Sequence, residues 1–395
     1  EITLVNLRDL PEDIHHEASL YFDESHSLVA TKRALMVTSI DTLNKRHALI
    51  NEKMNRALYE YSSLIDCFFK KNNPSLTIFK HGIYLLHGPV LDWQKKNNKK
   101  FICIDPAYTD SSIYCGINDR YDVYLSKLNY KEFKKDIVVD YSIVEEYSNT
   151  VIDERLNGRV NSSIEFDVKK ADMEWNKNKP SIAIFTNTLW DADVWYDSLI
   201  FSSHTEFIRN LIEYANKYPE VNFIFAPHPV EGSNDFSDKE TIGELISILT
   251  KNAIPENIYI TGKLESSYEI SENVDACFVY GSSIGLELSI LGRNVYVFAS
   301  PTYINKGVVR VIDTIDKLND LFSNISNRIF DSILPSQIIK AKEFIYYQNV
   351  VASIVLPNLP GNIKKANQIF NEPTAKTIEL IKDSDFKRVF KNANL

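Results

Sequence analysis

Tyr280-Gly281-Ser282-Ser283-Ile284-Gly285-Leu286-Glu287 follows a short apolar run, Ala276 to Val279, and opens a helical pattern. That order sets small residues and backbone amides at a helix N-terminus, where N–H groups and the helix dipole favour a phosphate or carboxylate. An ordinary Gly-Ser-Ser turn is the plain alternative. Glu287, one turn into the helix, can accept both hydroxyls of a ribose, or serve only as a favourable first-turn acid. A second group is Thr186-Asn187-Thr188-Leu189-Trp190-Asp191-Ala192-Asp193, with Trp195, Tyr196 and Asp197 beyond it. Carboxylates beside large aromatics suit a general base or a carboxylate nucleophile in a partly dry site that binds a sugar ring. Helix N-capping by Asp191 or Asp193 is the simpler reading, and an Asp-x-Asp metal site lacks a nearby His or further acid cluster to complete it. His228 is held between Pro227 and Pro229 with little backbone freedom, so at a strand end its imidazole can donate to a phosphate oxygen or play a structural part. Lys306, before Gly307, is a surface lysine or a cation that neutralises a second anionic group.

The elements that must position these groups alternate. After the polar Asn176-Lys177-Asn178-Lys179-Pro180, the pattern gives strands at Ile182–Phe185, Asn222–Ala226, Ile258–Ile260, Ala276–Val279 and Val295–Phe298. Between them it gives helices at about Thr205–Lys217, Lys239–Thr250, Tyr268–Ser271 and from Gly285, with another at Ile315–Leu321. Such alternation implies βαβ units and a parallel sheet with its ligand at the carboxyl ends of the strands. Function is therefore expected in the loops after Phe185, Ala226, Ile260, Val279 and Phe298. Upstream, 29–70 reads as helical, Leu76–Phe79 and Phe101–Asp105 as strands, Leu125–Arg159 as helical, and Gln337–Leu395 as helices.

At 395 residues the chain suits two domains, and 44% hydrophobic and 25% charged residues are those of a globular protein. A formal charge of −9 argues against a nucleic-acid partner. Lys70-Lys71, Lys95-Lys96 and Lys99-Lys100 are ordinary solvated lysines, or a strip for anionic headgroups or an anionic acceptor. Cys67, Cys103, Cys115 and Cys277 have no metal-ligand spacing, and three lie in apolar or aromatic surroundings, as in a reduced, cytoplasmic protein. Glu1 to Asp13 has no apolar run of signal-peptide length, and no stretch approaches the roughly 20 apolar residues of a spanning helix, so any membrane contact is expected to be peripheral.

Five blocks occur together over about residues 180–310: Thr186–Ala192, His228–Glu231, Ser267-Tyr268-Glu269-Ile270, Gly281–Glu287 and Tyr303-Ile304-Asn305-Lys306-Gly307. In order and spacing they resemble the bacterial capsule polysaccharide biosynthesis family, which includes the Kdo transferases of capsule and O-antigen assembly. Upstream, Lys80-His81-Gly82-Ile83-Tyr84 with Gly88 is similar to that family's His-Gly loop, and Glu154-Arg155-Leu156-Asn157-Gly158 to its pre-linker helix end.

The resemblance implies an α/β, GT-B-like fold: two Rossmann-like domains facing a cleft, with C-terminal helices crossing back. The domains would be 1–175 on the acceptor side, 180–330 for the nucleotide sugar, and 335–395 packing back on the first. It implies a glycosyltransferase of surface polysaccharide, most specifically one moving Kdo from CMP-Kdo to a glycan or lipid-linked oligosaccharide at the inner face of the cytoplasmic membrane. Asp191 would be the catalytic carboxylate, with Asp193 the fallback. His228 would contact the donor phosphate, and Pro229, Ser267, Tyr268, Gly281, Ser282, Ser283, Glu287 and Lys306 would complete the donor site. His81, Gly82 and Tyr84 would lie on the acceptor side. No cofactor or metal is implied, since His, Ser, amides and Lys306 would offset the leaving phosphate's charge. The chain departs from the family in having Phe225-Ala226-Pro227 where a basic residue usually precedes the His-Pro pair. Transfer from another nucleotide sugar, a sugar-nucleotide epimerase drawing acid and base from Asp105, His81 and His87, and a non-catalytic assembly subunit are the rival readings.

Overall fold

In the computed structural model, the described residues are 25–35, 37, 44–109, 111–161, 164–165, 167, 169–172, 174–191, 197–232 and 240–355. Asp193, Trp195, Tyr196 and the expected tail helices beyond residue 355 lie outside them.

A six-stranded, all-parallel sheet organises the second half. Its strands are β6 (Ser181–Phe185), β7 (Asn222–Ala226), β8 (Ile258–Ile260), β9 (Ala276–Val279), β10 (Val295–Val297) and β11 (Arg310–Val311), in the order β11-β10-β9-β6-β7-β8. Apolar runs of this kind sit where both faces of a sheet are covered. Ile182, Ile184, Phe223, Phe225 and Phe278 pack on one face, against Phe207 and Leu211 of α7 (His204–Lys217), Ile246 of α8 (Ile242–Leu249) and Phe322 of α11 (Ile315–Ser326). The alternate residues Ala183, Phe185, Ile224, Cys277 and Val279 pack on the other, against α9 (Ser267–Glu272), α10 (Ile284–Ile290) and α12 (Pro335–Tyr346). Local chemistry starts the helices: Ser203 accepts the Glu206 amide, and Thr241 and Glu244 form a capping box.

The first half carries a smaller, mixed sheet. α1 (Ser25–Leu35) and α2 (Lys45–Asn72) precede β1 (Thr77–Lys80), α3 (Gly88–Lys96), β2 (Phe101–Pro106) and β3 (Ser112–Ile117). α4 (Tyr121–Lys127), α5 (Tyr130–Lys134) and α6 (Tyr141–Leu156) follow, then a short ladder of β4 (Arg159–Asn161) with β5 (Ile164–Glu165). β1 and β2 run parallel, while β3 is antiparallel to β2 and to β12 (Ser353–Val355). The stretch read as one helix over 29–70 is thus two, and the tail read as helical includes a π-helical turn, Tyr347–Val351, and then β12. β12 closes the first sheet's edge, pairing Ser353 with Tyr114. α12 touches both α6 and α10, so one apolar cluster runs from Val144 and Ile152 of α6 through Phe344 to Leu286 of α10. The chain is an α/β protein whose two α/β units share this cluster and face one another across a cleft.

Candidate active site

Strand order reverses between β6 and β9: β7 and β8 lie beyond β6, while β10 and β11 lie beyond β9. Loops leaving two such strands diverge and open a crevice at their carboxyl ends. Phe185 at the end of β6 and Thr186 after it, Ala226 at the end of β7 and Pro227 to Pro229 after it, Leu264 and Glu265 after β8, and Ser282 to Ile284 after β9 line it. Ser267, Tyr268 and Glu287 complete this side, and Tyr108, Arg155 and Gly158 line it from the first half. The structure therefore brings together His228, Pro229, Ser267, Tyr268, Ser282, Ser283 and Glu287, which sequence placed in three separate segments, after Ala226, after Ile260 and after Val279. Gly281 is buried just behind Ser282.

His228 takes a defined tautomer. Its Nδ1 accepts the Val230 amide at 3.2 Å, so the ring proton sits on Nε2. Burial lowers its pKa to about 4, so the ring is neutral near neutral pH and a hydrogen-bond donor rather than a cation. Glu231, in the same turn, accepts the Ile242 amide at the start of α8. Glu287 accepts Arg155 Nε at 3.0 Å through Oε1 and the Tyr268 hydroxyl at 2.7 Å through Oε2. That places a link between the two halves where sequence suggested a ribose ligand. Burial and the neighbouring Glu287 carboxylate hold the Tyr268 phenol well above its ordinary pKa.

The Ser282-Ser283 turn is fixed from behind. Tyr303, 1% exposed, donates its hydroxyl to Ser282 O at 2.6 Å, and a Cβ on Gly285 would stand 2.3 Å from that hydroxyl oxygen. Gly285 is thus required by close approach, not by backbone angle.

Lys306 stands elsewhere than the sequence suggested. It is 1% exposed, and Nζ donates to Leu125 O at 2.7 Å, to Ser126 O at 3.3 Å and to Leu128 O. It caps the C-terminal end of α4 and joins the halves, with the Phe344 ring 5.2 Å away, and it does not line the crevice.

Asp191 lies five residues beyond Thr186, its amide bonded to Thr188 O at 3.1 Å. Arg33 of α1 reaches Asp191 Oδ1 at 3.0 Å, donates to the Tyr84 hydroxyl, and sits 4.4 Å from the centre of that ring. Burial raises the Asp191 pKa, and Arg33 opposes the rise. Tyr84 is thereby tied to the carboxylate, and His81 is 5.8 Å from Tyr84, ring to ring. His81 and Gly82 both have positive φ, +56° and +69°, at the carboxyl end of β1. For a histidine that conformation is strained, and it sets Nδ1 2.8 Å from Oδ1 of the buried Asp105 at the end of β2. Burial raises the Asp105 pKa, and His81 lowers it in turn. A carboxylate on imidazole Nδ1 fixes the tautomer and leaves Nε2 as the acid–base atom. Burial also lowers neighbouring His87, to about 4.

Arg155 and Tyr108 are crevice residues that sequence reasoning did not place there. Arg155 was legible as part of a helix end but not as a group crossing to the other half. Tyr108 sits after β2 in a segment with no distinguishing pattern. Among the described residues, no group of three or more His, Cys, Asp or Glu side chains could hold a metal ion. Of the cysteines, Cys103 and Cys277 are buried, Cys115 is half-buried and Cys67 exposed. No helix among the described residues is long and apolar enough to cross a membrane.

Compared with known proteins, the chain matches no family model and no curated protein. Among solved structures it is similar to the β-Kdo 2,4 transferase of Thermosulfurimonas dismutans KpsC, at 11% identity over 72% of this chain and 84% of that one, TM-score 0.43. The β-Kdo 2,7 transferase of the same KpsC gives 13% identity over 78% and 89%, TM-score 0.41. A UDP-GlcNAc 2-epimerase from Neisseria meningitidis, bound to UDP-GlcNAc, gives 14% identity over 80% of each chain, TM-score 0.27.

Proposed function

We propose that this protein is a glycosyltransferase of surface polysaccharide assembly, moving Kdo from CMP-Kdo onto a glycan or lipid-linked acceptor. The observation that carries the reading is the crevice at the strand-order reversal. It gathers a neutral His228, two serine hydroxyls and the Tyr268–Glu287 pair on the carboxyl ends of a parallel sheet. The loop from Thr186 leads out of that crevice to a carboxylate, Asp191, held by the other half.

In this reading the donor phosphate lies against Ser282 and Ser283, with His228 Nε2–H donating to a phosphate oxygen. Asp191 acts at the sugar. As nucleophile, its oxygen bonds to the anomeric carbon while the bond to the nucleotide phosphate breaks, and the acceptor oxygen later displaces it. As base, it takes the acceptor's hydroxyl proton during one direct displacement. Asp193 stays the fallback carboxylate. His81, with Asp105 on its Nδ1, stands with Gly82 and Tyr84 on the acceptor side. The crevice chemistry calls for no cofactor.

Thermal protection by a panel of CMP-, UDP-, GDP- and dTDP-sugars, with CMP-Kdo generated in place, tests this. Stabilisation by CMP or CMP-Kdo, lost in His228→Ala, supports it; a shift with UDP- or GDP-sugars alone removes Kdo as the donor. The His81–Asp105 pair favours one second reading, a sugar-nucleotide epimerase, because it supplies an acid–base group from the first half. Product analysis separates the two, since an epimerase alters the nucleotide sugar with no acceptor present.

A further inference from the structure

Arg155 is the one lysine or arginine among the described residues lining the crevice. The other ionisable groups there are the carboxylates Glu265 and Glu287, a His228 that burial keeps neutral, and the phenols of Tyr108 and Tyr268, which burial also holds uncharged. A nucleotide phosphate entering this space meets two carboxylates and a single cation. Ala226 ends β7 and lines the same crevice, so the strand leading to His228 contributes no charge.

The guanidinium is held in place before any ligand arrives. Its side chain is 9% exposed, with Nε on Glu287 at 3.0 Å and Nη1 on the Arg159 carbonyl at 2.9 Å. The second contact turns the chain back at the end of α6, and the first crosses to α10, directly behind Ser282-Ser283. An arginine fixed by two partners loses little further rotamer freedom on binding an anion, and its planar fork suits two phosphate oxygens. Removal of a phosphate from water against Glu265 and Glu287 alone would be unfavourable, and the arginine, which already balances Glu287, lowers that cost.

We infer that Arg155, supplied by the first half, is the donor-phosphate cation of a site whose nucleotide platform belongs to the second. The inference rests on the nucleotide-sugar reading above and adds to it that the donor site is composite. Glu287 then acts as the positioning residue for Arg155, and Tyr268 fixes Glu287 from its other oxygen.

The test separates phosphate from base. Affinities of the full chain are measured by calorimetry for matched pairs: CMP and cytidine, UDP and uridine, GDP and guanosine, dTDP and thymidine. In the wild type the phosphorylated member of the pair that binds is expected to bind roughly ten- to a hundredfold tighter than the nucleoside. Arg155→Met is expected to bring that ratio close to one while nucleoside affinity holds, and Arg155→Lys to keep part of it. A ratio unchanged in Arg155→Met overturns the assignment. So does an equal fall for nucleotide and nucleoside in both Arg155 variants, which would leave the arginine only a structural tie. Preference for the uridine or guanosine pair with the ratio still dependent on Arg155 removes the Kdo donor but keeps the inference. Absence of binding by every pair overturns both.

Discussion

Arg33 Nη1 stands 3.0 Å from Asp191 Oδ1, so a helix of the first half holds the carboxylate on which catalysis in the second is proposed to depend. Burial raises the Asp191 pKa and Arg33 pulls it back. The carboxylate must be ionised to act as nucleophile or base, so the acid limb of the pH–rate profile reports it. Arg33→Met removes the opposing charge, and the acid limb is expected to move to higher pH. An unmoved limb in that variant would separate Asp191 from the chemistry.

The same raised pKa has a consequence for stability. A carboxyl group whose folded-state pKa lies above its unfolded value stabilises the fold fully only below the unfolded value, near 4. That contribution is lost as pH rises through the folded value. Asp191→Asn is therefore expected to be more stable than the wild type at pH 7, with the gain shrinking as pH falls toward 4. Transfer should drop by about a hundredfold or more. Melting temperatures of both proteins from pH 4 to pH 8 check this; a gain that does not depend on pH would attribute it to something other than ionisation.

Lys306 is the opposite case. Burial lowers its pKa to about 7, against Glu132, which raises it. Its folded value then lies below the unfolded one near 10.4, so stability rises with pH across that window. Lys306→Met leaves the end of α4 without its donor and is expected to cost about 1–3 kcal/mol at pH 7. The gap between wild type and variant should widen from pH 7 to pH 9.5. A constant or narrowing gap, followed by denaturant unfolding, would mean that the amine stays charged in the fold.

Asp105→Asn tests the acid–base pair of the first half. An amide can keep the contact to His81 Nδ1 but cannot balance an imidazolium. Under the proposed acceptor role, transfer to acceptor should fall by about ten- to a hundredfold while release of sugar to water from the donor is retained. Equal loss of both reactions would place Asp105 in the fold alone.

What was legible depended on how local the determinant was. β7, β8 and β9 are bounded in the sequence as in the structure, because parallel strands buried on both faces are continuous apolar runs closed by turn residues. The crevice followed from them, since strands β6, β7 and β9 deliver Thr186, His228 and Ser282-Ser283 to one end of the sheet. β3 was not legible: Ser112 to Ile117 contains Gly116, whose Cβ would stand 2.2 Å from Asp119 O, so packing rather than pattern decides it. β12 exists through its pairing with β3, some 240 residues earlier in the chain. Lys306 and Arg155 show the same limit. One buries a charge against another helix's carbonyls and the other crosses to α10, and nothing within a few residues of either records its partner.

Gly285 and Tyr303 give a cycle that tests how the serine turn is held. Gly285→Ala puts a methyl group 2.3 Å from the Tyr303 hydroxyl oxygen and 3.0 Å from Cζ, and Tyr303 cannot recede freely because it is 1% exposed. Overpacking of this kind costs about 1–3 kcal/mol, and here the displaced hydroxyl also releases Ser282 O. Gly285→Ala is thus expected to lose both stability and nucleotide protection. Tyr303→Phe removes the closest atom and should cost less, since only its hydrogen bond to Ser282 O is lost. The double variant should then be less damaged than the sum of the two, because the clash and the hydrogen bond involve the same oxygen. Strict additivity in both melting temperature and nucleotide affinity would show that Gly285 acts on the turn by a route other than Tyr303.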